Sequence, residues 1–195
     1  MERLDRREFI GIGTLAAATA LPGAGLSAES AAGGIGYSRR LEVKEEADVF
    51  IAGGGPAGVA AAISAAENGA KVFLAEGHSC FGGMSTAGRV PIFMGFGDGV
   101  NVYSQGVATR VREALKRETS LKGEGNDIEA FKRAYDALMS ASGAEFRFGV
   151  KVVDAIVERG MVRYAVCSAP SGMFAVKAKV FVDATGNGEL ALEKP

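Results

Sequence analysis

The chain has few histidines and cysteines and almost no net charge, and each of these properties excludes some classes of function. The 195 residues carry a formal net charge of −1, from 22 basic and 23 acidic side chains. This near balance argues against nucleic acid, or an anionic membrane surface, as the main partner. His78 is the only histidine, and we predict no metal site.

The two cysteines, Cys80 and Cys167, lie far apart in the sequence. Neither has the C-x-x-C partner that a redox dithiol would need. A disulfide between them is chemically allowed outside the cytoplasm, but nothing in the sequence supports one. We therefore expect both side chains to serve as small apolar packing residues.

The chain also lacks a long apolar run. Residues 9–21 are weakly apolar and rich in Ala, Gly and Thr, and they are shorter than the roughly 20 residues that cross a bilayer. Charged residues 1–8 precede this run and small residues 22–36 follow it. That order of charged, apolar and small segments is typical of an export signal rather than a membrane anchor.

Within this segment, residues 5–10 resemble the twin-arginine consensus, because Arg6 and Arg7 are followed by any residue, Phe and an aliphatic residue. We predict a twin-arginine signal peptide over residues 1–32 and a solvated linker over residues 33–46. The protein is then expected in the periplasm or otherwise exported, with the twin-arginine export machinery as a partner.

The most informative stretch covers residues 47–76. A short β-branched strand precedes Gly53, Gly55 and Gly58, which are spaced as G-x-G-x-x-G. A helix of small apolar residues follows, and then a second buried strand that ends at Glu76. Strand, glycine turn, helix, strand and acid in this order predict a dinucleotide-binding unit, with an isolated tight turn as the alternative.

Each part of this motif has a physical task. Gly53 permits a tight turn, Gly55 lets the backbone approach a pyrophosphate, and Gly58 lets the helix pack closely on the strand. Pro56 and Ala57 complete the motif at the helix N-terminus. There, free N–H groups and a partial positive charge attract phosphates.

Glu76 follows the middle glycine by about 20 residues, where a carboxylate accepts hydrogen bonds from a ribose diol. The same carboxylate would repel a 2′-phosphate. NADP is therefore the least favoured dinucleotide.

A second glycine-rich loop follows, with Gly82, Gly83 and Met84 ahead of Thr-Ala-Gly. The stretch of residues 48–88 resembles the FAD-dependent oxidoreductases of the glutathione-reductase-like superfamily. The resemblance implies that Gly82, Gly83 and Met84 run along the FAD pyrophosphate and ribityl chain. Paired glycines suit this role because amides then face an anion without an intervening Cβ, although an ordinary glycine-rich loop is the alternative.

Three further side chains, those of His78, Arg89 and Asp98, lie near this loop in the sequence. His78 does not have the spacing of the motif that attaches FAD covalently, so we expect no such bond. The resemblance implies that residues 89–101 run toward the flavin and the substrate. Arg89 and Asp98 are therefore candidate wall residues.

The second half of the chain predicts two amphipathic helices, over residues 104–118 and 126–140, with Asn126 as a candidate N-cap. Strands follow from residue 145 to residue 182. Turn residues at 159–160 and 170–172 indicate a small antiparallel meander.

The resemblance assigns two more sites in this half. In the superfamily, the strand after the second helix presents its backbone to the adenine, which here falls on Val152. A second fingerprint consists of an apolar strand followed by Ala184, Thr185 and Gly186, with Asn187 in place of the common Asp.

We therefore predict an α/β fold of the Rossmann-like FAD/NAD(P)-binding type over residues 47–195, with a parallel sheet, flanking helices and a small meander. The expected function is the FAD-binding part of an exported oxidoreductase with a small-molecule substrate. The superfamily continues beyond this point, so a missing C-terminal half is expected, and no catalytic residue can be named. Alternatives are a truncated non-catalytic nucleotide-binding remnant or an NAD-binding module.

Overall fold

The computed structural model describes residues 36–92, 97–118 and 127–191. The chain divides into two units, Met1–Arg40 and Leu41–Pro195, and the described helices and strands belong to the second. The predicted twin-arginine segment lies outside the described residues. Within the described ranges, no helix combines the length and the apolar character needed to span a bilayer.

Six strands of the described chain form one sheet in the order β3-β2-β1-β6-β5-β4. Strands β3, β2, β1 and β6 are parallel neighbours, whereas β6, β5 and β4 are antiparallel. The predicted α/β fold, with a parallel sheet and a meander, is confirmed. The strands are β1 Val43–Ala52, β2 Val72–Glu76, β3 Glu145–Phe148, β4 Lys151–Glu158, β5 Met161–Ala169 and β6 Gly172–Asp183.

Three α-helices and one 3₁₀ turn accompany the sheet in the described part: α1 Pro56–Glu67, the turn Gly83–Ser85, α2 Val107–Glu118 and α3 Ile128–Ser142. Helix α1 ends as expected, because Gly69 follows it at φ +85° and donates its N–H to the Ala66 carbonyl. Helix α3 is capped by Asp127, whose carboxylate accepts the N–H of Glu129 at 2.9 Å. The predicted cap, Asn126, lies outside the described residues.

The meander and the parallel sheet share strand β6. Its residues 175–177 pair with β5 on one side and with β1 on the other. Strand β1 also begins earlier than predicted, at Val43, so part of the expected linker is strand. Glu45 and Glu46 conceal this start in the sequence, since their charges are paired with Arg147 of β3 at 2.6 Å and Lys177 of β6 at 3.4 Å.

The strand predicted to start at residue 145 is two strands. Gly149 interrupts it at φ +68°, a left-handed conformation that breaks the extended chain. Strand β3 then pairs with β2, and β4 pairs with β5. The break is held beside the end of β2, because Val150 donates its N–H to the Glu76 carbonyl at 2.9 Å.

Successive side chains of the central strands bury opposite faces of the sheet, as strand geometry requires. One face holds Phe50, Phe73 and Phe174, and the other packs Ile51 and Leu74 against the helices. The aromatic and methionine side chains of α3, Phe131, Tyr135 and Met139, lie in this second cluster.

Both cysteines are free thiols. Cys167 is fully buried in the first core cluster, and burial raises the pKa of its thiol to about 12. It is therefore a neutral packing residue, as expected. Cys80 is only partly buried, and its Sγ lies 3.7 Å from the Thr86 hydroxyl.

Candidate functional site

The predicted fingerprints meet at one edge of the sheet because β1, β2 and β6 are parallel and end there together. The glycine turn follows β1, Glu76 ends β2, and Ala184 follows β6. Gly53 donates its N–H to the Ala75 carbonyl at 2.8 Å, and Ala184 donates to the Ala52 carbonyl at 2.9 Å. Ligands of open α/β sheets bind outside such carboxyl ends.

Two glycines of the turn are required by the chain itself. Gly53 has φ +96°, and a Cβ built on it would lie 2.9 Å from the Ala184 carbonyl oxygen. A Cβ on Gly58 would overlap the Gly53 carbonyl oxygen and lie 3.3 Å from the Ala184 Cβ. The two fingerprints are thus in direct contact, and these glycines serve packing.

Gly55 is different, because nothing in the described part of the protein requires a glycine there. Its backbone is extended, at φ −66° and ψ −179°, and a Cβ built on it would meet no atom within 4 Å. The N–H groups of Ala57 and Gly58 donate to no acceptor in the described part of the chain. An open space with free amides at the start of a helix fits a pyrophosphate.

The second glycine loop lies against this turn. Gly82 donates its N–H to the Gly54 carbonyl at 2.8 Å, and a Cβ on Gly83 would lie 3.2 Å from the Gly55 Cα. On its other side the loop touches α3, since a Cβ on Gly82 would lie 2.7 Å from the Tyr135 ring. The exposed Met84 follows at once. The structure therefore brings the two predicted glycine segments together.

Glu76 is only 5% exposed and braces the turn. Its Oε2 accepts the N–H of Gly54 at 2.6 Å, while Oε1 accepts the N–H of His78 at 2.6 Å and lies 2.8 Å from His78 Nδ1. A carboxylate oxygen accepts two hydrogen bonds, so Oε2 retains one lone pair for a ribose hydroxyl. The residue predicted as a ribose ligand thus also holds the glycine turn in place.

Asp183, which the sequence analysis did not single out, organises the second fingerprint. Its Oδ1 accepts the N–H and the hydroxyl of Thr185 at 3.0 and 2.6 Å, and its Oδ2 accepts the N–H groups of Leu190 and Ala191 at 2.9 and 3.0 Å. Partial burial raises the pKa of this carboxyl, but the four hydrogen bonds outweigh it and lower the pKa. The feature of the sequence that could have identified Asp183 is an acidic residue at the end of an apolar strand.

The remaining predicted residues lie at the margins of this site. Gly186 is exposed, and a Cβ built on it would meet no atom within 4 Å. Val152 is buried in β4 opposite Cys167, and its role toward an adenine stays a prediction. The Asp98 carboxylate accepts hydrogen bonds within its own hairpin, from the N–H groups of Val100 and Asn101 and from the Tyr103 hydroxyl. These bonds hold the pKa of Asp98 well below its usual range.

The fold and this edge define an α/β dinucleotide-binding protein. The family model described as FAD dependent oxidoreductase matches residues 48–193, and the chain belongs to that family. The predicted FAD cofactor and the predicted membership of an FAD-dependent oxidoreductase family are thereby confirmed.

Known proteins similar to the chain are longer than it. A thiamine thiazole synthase of Methanococcus vannielii is 31% identical over 156 residues, which cover 73% of this chain and 57% of that protein. Two solved structures, each with a TM-score of 0.51, share the fold: a myxobacterial FAD-dependent chondrochloren halogenase and a 3-ketosteroid dehydrogenase of Rhodococcus jostii. They are 19% and 17% identical, and the matches cover 74% and 72% of this chain but 38% and 46% of theirs.

The contrast between Gly58 and Gly55 gives a stability prediction. Gly58→Ala should lower the free energy of unfolding by about 3 kcal/mol, because its Cβ overlaps the Gly53 carbonyl. Gly55→Ala should leave stability unchanged or raise it by up to about 1 kcal/mol, since it fits both space and backbone. Urea unfolding of the two variants measures this, and equal destabilisation would contradict the assignment.

A second prediction concerns Asp183. Asp183→Asn replaces one hydrogen-bond acceptor of the carboxylate by an amide donor. At pH 7 it should lower the free energy of unfolding by about 1 kcal/mol, a modest amount because the carboxylate is partly exposed. The pKa of Asp183 is lowered on folding, so its contribution is present above its unfolded pKa of about 4 and lost as pH falls through the folded pKa. The stability difference between the two proteins should thus begin to shrink below about pH 4 and vanish only below the folded pKa, and a difference that persists unchanged as pH falls would refute this role.

Proposed function

We propose that this chain is the FAD-binding part of an exported oxidoreductase of the glutathione-reductase-like superfamily, acting on a small-molecule substrate. The observation that carries the proposal is the space above Gly55. It is bordered by the free amides that open α1, the braced carboxylate of Glu76 and the Gly82–Gly83 loop. Two glycine loops beside a ribose-binding acid suit a cofactor that runs past the first turn.

In this proposal each residue binds or positions the cofactor. The amides of Ala57 and Gly58 donate to the pyrophosphate, and the helix dipole adds electrostatic attraction. Oε2 of Glu76 accepts a ribose hydroxyl, while Asp183 fixes the loop that follows β6. Bound flavin supplies the redox chemistry of the family. These groups lie around the nucleotide end, and no residue is assigned as catalytic acid or base.

The chain spans about half the length, or less, of the similar proteins described above. This supports the further proposal that a C-terminal half, in the same or another polypeptide, completes the enzyme and holds the substrate. A non-catalytic nucleotide-binding remnant is the alternative. The remnant would bind FAD but show no turnover even after the complementary half is supplied, whereas the proposed enzyme would then become active.

The cofactor prediction is tested by titrating the purified chain with FAD, NAD and NADP, followed by flavin fluorescence and calorimetry. FAD should bind most tightly, and Gly55→Ala should weaken it at least tenfold because its methyl group enters the pyrophosphate space. Ser64→Ala, at an exposed position of α1, is the matched control and should bind like the parent. Preference for NAD, or unchanged FAD affinity in Gly55→Ala, would overturn the proposal.

Export is the second part of the proposal, supported by the sequence of residues 5–10. Replacing Arg6 and Arg7 together by Lys should retain the precursor in the cytoplasm, because the export receptor reads the guanidinium pair rather than charge alone. Fractionation and processing of the two precursors measure this. Normal export of the double-Lys variant would assign the segment to the general secretory route.

A further inference from the structure

An open pocket of about 550 Å³ lies between the segments that flank the Gly82–Gly83 loop and helix α3. Residues 53–58 contribute nothing to its wall, so it is separate from the space above Gly55. Residues on both sides of the loop and in the first turns of α3 line it, and it is open to solvent. Its lining residues are His78, Ser79, Cys80, Thr86, Ala87, Arg89, Ile128, Glu129 and Lys132.

The residues that line the pocket include two cationic side chains, Arg89 and Lys132, and one acidic side chain, Glu129. Lys132 is paired with Glu129 at 2.7 Å, which neutralises both charges. Arg89 is exposed and makes no ion pair within the described residues. The side chains of the cavity therefore carry an uncompensated positive charge at Arg89. A guanidinium is well suited to bind a planar carboxylate or a phosphate through two parallel hydrogen bonds.

The backbone at Arg89 is unusual. Arg89 has φ +57°, the left-handed region that residues other than glycine seldom adopt. Bonds on either side hold it there, from the Arg89 N–H to the Thr86 carbonyl at 3.0 Å and from the Val90 N–H to the Met84 carbonyl at 2.9 Å. Such conformations carry an energetic cost and cluster at functional sites. The positive φ therefore makes Arg89 a candidate functional residue.

Backbone donors accompany the cations. The N–H groups of Ser79, Cys80 and Ala87 have no acceptor among the residues that the structure describes. Amides in consecutive turn positions commonly bind anions. The wall thus combines one free guanidinium, one ammonium held by a carboxylate, and unused amide donors.

We propose that this cavity binds a small oxyanion, a carboxylate or a phosphate, anchored by Arg89. None of the residues assigned to the proposed FAD cradle lines this pocket, and the proposal does not depend on that cradle. Glu129 opposes an anion directly and also occupies Lys132. Removing the Glu129 charge should therefore strengthen binding, whereas removing the Arg89 charge should weaken it.

The test uses the full chain at constant ionic strength, titrated in separate arms with inorganic phosphate and with succinate and followed by calorimetry. At least one anion should bind in the millimolar range or tighter. Arg89→Gln should weaken that binding at least fivefold, and Glu129→Gln should tighten it at least twofold. The matched control is Lys179→Gln, a cation outside the cavity, and it should change nothing.

The two arms identify the source of the anion, since a preference for succinate indicates an organic acid and a preference for phosphate a phosphorylated ligand. Binding of neither anion, or equal binding by Arg89→Gln and the parent, would overturn the proposal. An equal loss in Lys179→Gln would do the same, because it would reveal general screening rather than a site.

Two further measurements separate this site from structure and from the cofactor. Arg89→Gly should raise the melting temperature by about 2–4 °C, through relief of the left-handed backbone, yet lose anion binding. If the Arg89 side chain instead stabilised the fold, Arg89→Gly would lower the melting temperature. Saturation with FAD should leave the anion affinity unchanged, and competition between them would assign the cavity to the cofactor site instead.

Discussion

The buried carboxylate of Glu76 is the group on which the geometry of the site depends. Removing a charge from water is costly unless donors replace the water, and here the N–H groups of Gly54 and His78 do so, together with the position of the His78 ring. These bonds tie the glycine turn after β1 to the end of β2. The same carboxylate thus shapes the glycine turn and keeps one lone pair of Oε2 for the ribose contact that we propose.

Strand β6 extends this arrangement to the second fingerprint. Because it pairs with β1 through residue 183, the loop that follows arrives beside Gly53 and Gly58. Asp183 then fixes that loop by accepting four hydrogen bonds. The antiparallel meander is an extension of this strand, so packing of the outer sheet and placement of the cofactor loop are coupled.

The order of elements around Gly53, Gly55 and Gly58 was predictable because helix and strand periodicities and glycine spacing are local properties. The start of β1 was not, since its charges are paired with residues more than a hundred positions away. The left-handed break at Gly149 was also missed, because one glycine in an apolar run reads as continuous strand. The second role of Glu76 depends on long-range hydrogen bonds, and periodicity does not report such contacts.

The most direct test of this account is a crystal structure of the chain with FAD. The account predicts the pyrophosphate over Gly55, within hydrogen-bond distance of the Ala57 and Gly58 amides, and a ribose hydroxyl on Oε2 of Glu76. Glu76 should keep its bond to the Gly54 amide when the ribose is bound. A pyrophosphate placed elsewhere, or a Glu76 side chain that leaves Gly54 to reach the ribose, would contradict the account.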